Sequence, residues 1–152
     1  MSMKRREFVA ALAATVALPA ASALAAEPDA FTVYKDPNCG CCSLWADAYQ
    51  KAGYRVEIVE ERDLISHKRK LGVPLDIQGC HTAVYRGQFL EGHVPMKAAR
   101  MLESRTDLAG LVVPGMPAGS LGMGDDASAS YDVIAVGKDG NTSVFLQVRP
   151  KA

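Results

Sequence analysis

The chain has 152 residues, and its 17 Lys and Arg balance 17 Asp and Glu to a formal net charge of zero. That length gives one domain with a core of its own and is too short for two. A near-neutral surface without a basic stripe excludes nucleic acid and anionic membrane as natural partners.

The first 25 residues read as an export leader rather than as part of the fold. Lys4, Arg5 and Arg6 form a basic start, an Ala/Leu/Val run follows, and Ala23 and Ala25 give the small-x-small pattern of a cleavage site. The apolar run is short and broken by Pro19, so a stable membrane span is not expected. Paired arginines before Phe8-Val9 fit a twin-arginine signal, although the ordinary secretory route fits as well. Cleavage after Ala25 leaves residues 26–152 as a single periplasmic domain with 14 basic and 16 acidic side chains.

Phe31–Lys35 is a β-rich run that ends at the turn Asp36-Pro37-Asn38. Asp36 and Asn38 are read as turn and cap formers. After "CGCC", Ser43 to Gly53 carries helical spacing, with Leu44, Trp45, Ala48 and Ala52 expected on the buried face. Tyr54–Glu60 alternates as a strand with Tyr54, Val56 and Ile58 inward. Arg62–Gly72 is a second helix with Leu64, Ile65 and Leu71 inward, and His67–Lys70 ("HKRK") as a solvated face. His81–Tyr85 and Gln88–Glu91 form a hairpin about Arg86-Gly87. Val94–Ser104 is a third helix with Pro95 near its start and Met101 and Leu102 on the core side. From Val112 a Gly/Pro/Ser-rich loop leads to two strands about Lys138–Asn141.

Strand, helix, strand, helix, strand, strand, helix is the order of an α/β, thioredoxin-like mixed sheet with flanking helices, followed here by a C-terminal two-stranded extension. In that order the cysteine cluster falls between the first strand and the first helix. Cys80 falls just before the third strand, where thioredoxins place a cis-proline, so two distant segments should meet at one spot.

All four cysteines, Cys39, Cys41, Cys42 and Cys80, lie beyond the leader. Three sulfurs in one turn close almost no loop, so disulfides among them would constrain the unfolded chain little. A helix N-terminus favours thiolates, and several thiolates side by side repel one another. A bound cation removes that repulsion, and soft sulfur selects Cu(I), zinc or iron–sulfur clusters. Clustered thiolates that bridge suit more than one copper ion, whereas a zinc site using Cys80-His81 is conceivable but departs from the common spacing. His81 and His93 are further candidate ligands, as are Met116 and Met123 in the Gly/Pro-rich loop. His67 is read as helix surface and Trp45 as core.

"YKDPNCGCCSLWADAYQKAGYRVEIV", "LGVP", "CHTAVYRGQFLEGHVP" and "GLVVPGMPAGSLGMG" together resemble the CopG-type family of periplasmic copper-resistance proteins, formerly a domain of unknown function. The resemblance runs from about Phe31 to Gly124. It implies a thioredoxin-like fold and copper bound by Cys39, Cys41, Cys42 and Cys80. It also implies a multinuclear cluster that interconverts Cu(I) and Cu(II), and work alongside other periplasmic copper-handling proteins. Two alternatives stay open on the residues alone: a thiol–disulfide oxidoreductase using Cys39 and Cys42, and a redox-inactive copper chaperone or buffer.

Overall fold

The computed structural model describes residues 30–124 and 126–150; the leader assigned to residues 1–25 lies outside them. Seven strands form one mixed sheet: β1 (Ala30–Lys35), β2 (Arg55–Glu60), β3 (His81–Tyr85), β4 (Gln88–Glu91), β5 (Leu108–Val112), β6 (Tyr131–Gly137) and β7 (Thr142–Val148). Helices α1 (Gly40–Lys51), α2 (Leu64–Lys70) and α3 (Met96–Leu102) flank it. The spatial order is β2-β1-β3-β4-β5-β6-β7. β1 runs parallel to β2 and antiparallel to β3, and β3 is antiparallel to β4.

The final hairpin, β6–β7, extends the sheet through β5, a strand absent from the sequence reading. β5 pairs parallel with β4 and antiparallel with β6. Covered on both sides, it reads "LAGLV" with no alternation, so its pattern carries no strand period.

Alternation along the central strands divides the interior in two. Phe31, Val33, Ala83, Tyr85, Leu90, Leu111 and Val133 pack on one face with Trp45 and Tyr49 of α1 and Ala98 and Leu102 of α3. Phe31 stacks on Tyr85 at 4.1 Å between ring centroids and touches Tyr49 at 4.8 Å. A smaller cluster of Val73, Phe89, Val112 and Val136 fills the other face beside Leu71 and Ile77, at the end of α2.

Several inward assignments are corrected. The buried stripe of α1 is Cys42, Trp45, Ala46 and Tyr49, whereas Leu44 is 58% exposed and Ala52 is exposed. Tyr49 rotates the helix because its hydroxyl donates to the Val94 carbonyl (3.1 Å) beside the Trp45 indole N–H (2.9 Å). Ile58 lies on β2, an edge strand, and Ile65 and Met101 are also exposed; Leu102 alone holds the α3 core position expected of the pair. The "HKRK" run is not a uniform solvated face either. Lys68 is buried against Glu91, and His67 packs on Tyr34 at 3.7 Å between ring centroids.

Two glycines set the spacing between the ends of β3 and β4. A Cβ on Gly79 would stand 2.5 Å from Gly92 Cα, and one on Gly92 would stand 2.5 Å from the Val113 carbonyl oxygen. Gly92 also has φ +68°, a conformation that other residues adopt only under strain.

Phe31→Ala is expected to lower the unfolding free energy by about 3–5 kcal/mol, because the aromatic cluster around it cannot collapse into the space; urea denaturation checks this. Gly92→Ala is expected to cost about 1–3 kcal/mol through strain and overpacking, read as a lowered thermal midpoint.

Candidate metal centre

Cys39 is the N-cap of α1, with Cys41 and Cys42 in the first turn. The Asp36 side chain accepts from the Asn38 N–H (2.8 Å) and the Asp36 carbonyl from the Cys39 N–H (3.0 Å), so the turn delivers the chain into the helix. No side-chain oxygen caps α1, which leaves its first N–H groups facing the sulfurs.

The second segment comes from the β3–β4 hairpin. Cys80 immediately precedes β3, and His93 follows β4 by two residues. The Gly92 N–H donates to the His81 carbonyl (2.8 Å), continuing the hairpin ladder past the strand ends. The close approach of Gly79 to Gly92 then sets the Cys80 and His93 side chains against each other.

The four sulfurs lie within 4.8 Å of one another. Cys39 and Cys42 form a disulfide, and Cys41 and Cys80 are free thiols. Cys80 Sγ lies 3.6 Å from Cys42 Sγ and 3.9 Å from Cys41 Sγ, and Cys41 Sγ lies 3.5 Å from Cys39 Sγ. The same Cys80 Sγ is 3.0 Å from His93 Nε2 and 3.3 Å from His81 Nδ1. Cys80 is thus the vertex shared by a four-sulfur group and a Cys–His–His group.

Both expected histidines reach the site. Residue alternation along β3 gave reason for His81 to point elsewhere; it instead faces α1, where its ring packs on Trp45 at 4.6 Å between centroids. Met116 and Met123 remain exposed in the loop after β5. That loop nevertheless lies on the first turn of α1, since a Cβ on Gly122 would stand 2.9 Å from the Cys41 carbonyl oxygen. His67 sits on α2, outside both groups of clustered donors.

Burial dominates the electrostatics of the site. Burial, reinforced by the neighbouring Cys41, pushes the Cys80 thiol up to about 12. Burial pulls His81 down to about 3, and lowers His93 as well, with the Leu121 backbone opposing the shift. The imidazoles are therefore neutral at pH 7 and keep a lone pair for donation. His81 Nε2 is buried without a hydrogen-bond partner. Crowded sulfurs and neutral buried imidazoles, each with a ring nitrogen at the Cys80 thiol, fit a soft metal ion.

Lys68, Glu91 and Thr82, beneath Cys80, escaped the sequence reading. Strand alternation carried a usable signal: Glu91 follows Phe89 by two residues, so its carboxylate enters the same interior face and requires a buried donor.

A family model described as "Protein of unknown function, DUF411" matches residues 77–123. No curated protein sequence matches the chain. A solved structure titled "Copper resistance protein copG- Form 2" is 41% identical, with a TM-score of 0.77, over 80% of this chain and 99% of that one. A second, titled "Copper resistance protein copG- Form 1", is 40% identical, with a TM-score of 0.77, over 82% of this chain and 100% of that one. The likeness spans nearly the whole of both neighbours, and the chain belongs to the CopG family of copper resistance proteins.

Proposed function

We propose that the protein binds copper in copper resistance, with Cys39, Cys41, Cys42 and Cys80 holding a Cu(I)–thiolate cluster and His81 and His93 completing the donor set. The observation that carries this reading is the convergence on Cys80: three sulfurs from α1 and two imidazoles from the hairpin surround one thiol. Sulfur with imidazole matches the preference of Cu(I), and thiolates that bridge accommodate more than one ion. Met116 and Met123 are exposed soft thioethers on the loop whose Gly122 rests against α1.

The arrangement of the first four strands supports a thioredoxin-like reading, with the active-site position of such folds given over to metal. In this reading residues 1–25 are an export leader and residues 26–152 a single periplasmic domain, working beside other copper-handling proteins. No helix among the described residues is long and apolar enough to cross a membrane. Bound copper would supply one-electron chemistry, so Cu(I)/Cu(II) interconversion is part of the proposal.

The protein's own sulfurs add a second redox couple. With the Cys39–Cys42 disulfide formed, two of the four sulfurs are withdrawn from metal binding. Two electrons from an external dithiol, with two protons, return both as thiols and restore the full set. The disulfide also favours a second reading, thiol–disulfide exchange, because the Cys80 thiol stands 3.6 Å from Cys42 Sγ. A redox-inactive carrier uses the same ligands without cycling the metal.

Anaerobic Cu(I) titration of the reduced protein, with metal and thiols counted on one sample, tests the proposal. More than one copper per chain with loss of free thiols is expected; saturation at one or fewer with reactive thiols overturns the cluster. Cys80→Ser is expected to lower copper stoichiometry while circular dichroism stays unchanged, and unchanged copper content would refute a two-segment site. If disulfide exchange is the function instead, Cys41→Ser leaves activity intact and exchange with substrate disulfides is fast.

A further inference from the structure

Beneath the donor set lie two ionisable side chains that copper binding itself does not use. Lys68 of α2 is 3% exposed and Glu91 of β4 is fully buried. Lys68 Nζ donates to Glu91 Oε1 and also to the Gly79 carbonyl (3.0 Å). The Gly79 N–H donates to the same Glu91 Oε1 (2.7 Å), and the Thr82 hydroxyl donates to Oε2 (2.5 Å). Both backbone polar groups of Gly79 are therefore held by the ion pair.

Burying an ion pair is a poor route to stability, because the loss of hydration offsets most of the attraction and apolar residues of similar volume do as well or better. The contacts of this pair converge instead on one residue. Gly79 is bonded to Cys80, the thiol on which both donor groups converge, and Glu91 stands two residues before His93. Gly79 has no side chain to pack, so hydrogen bonds, a backbone bridge to Gly115 and its contact with Gly92 are what fix it.

We propose that Lys68 and Glu91 are positioning residues for the metal centre, clamping Gly79 so that Cys80 Sγ is held in register with Cys42 and His93. This inference rests on the copper-binding reading. α2, which supplies no ligand, thereby orders a ligand through the strand it covers. Groups that orient metal ligands in this way typically govern affinity by about 10–100-fold.

The test compares Cu(I) affinity, by competition with bicinchoninate, in the reduced parent, the double variant Lys68→Met with Glu91→Leu, and Lys68→Arg. The double variant replaces the pair with apolar side chains, a change that buried ion pairs tolerate. It is expected to keep the parent's circular dichroism, with a thermal midpoint lowered by the unpartnered Gly79 and Thr82 groups, while binding Cu(I) at least about tenfold more weakly. Lys68→Arg, which keeps the cation and its donors, is expected to recover most of that loss. A folded double variant that binds as tightly as the parent overturns the proposal. Should the double variant not fold, amide exchange in the metal-free parent decides: Gly79 protected like the β3–β4 ladder upholds the clamp, and exchange at the rate of an open loop overturns it. A parent that binds no copper overturns the copper reading instead, which separates the two failures.

Discussion

The candidate metal centre depends on how closely two pieces of backbone approach each other. Gly79 and Gly92 lie so near that a methyl group on either would collide with main chain, and that approach brings the residues after each glycine together as Cys80 and His93. Everything else in the sheet supports this contact. The β3–β4 hairpin sets the register, the Gly92 N–H extends it to the His81 carbonyl, and Val113, just past β5, anchors the Glu91 carbonyl from the far side (2.9 Å). α1 then needs only to present its first turn from above, which its Trp45 and Tyr49 hydrogen bonds to the Val94 carbonyl ensure.

The two faces of the sheet serve the centre differently. On the α1 face the donors are sulfur and imidazole, and burial opposes ionisation of Cys80, His81 and His93. On the α2 face the Glu91 carboxylate is fully engaged, accepting from Lys68, Gly79 and Thr82. The donors are left electrostatically incomplete while the carboxylate beneath them is satisfied. Such a division suits a centre that must accept positive charge without rearranging its scaffold.

Much of this was legible in the residues. The hairpin emerged with its observed boundaries, since His81–Tyr85 and Gln88–Glu91 flank an Arg-Gly turn, and the four cysteines converge as their places in the element order implied. Errors arose where a side chain's usual habit conflicts with its surroundings. Leu44 was assigned inward by its hydropathy, yet Tyr49 has the hydroxyl partner that orients α1. Lys68 was assigned outward by its charge, but its carboxylate lies 23 residues further along, a pairing that no local pattern reveals. β5 was hidden because a strand covered on both faces loses the period of two. His81 lies in a strand whose direction the sequence defines only up to a choice of face.

The centre is also a long-range structure. Cys41 and Cys80 are 39 residues apart in the chain and come together only after β1 pairs with β3. An unfolded chain presents a local trio of sulfurs, and the fourth joins by closing a long loop. Metal captured early would therefore meet an incomplete ligand set and would have to be rearranged as the sheet forms. Under the copper-binding proposal, the full ligand set is therefore available only to the folded chain.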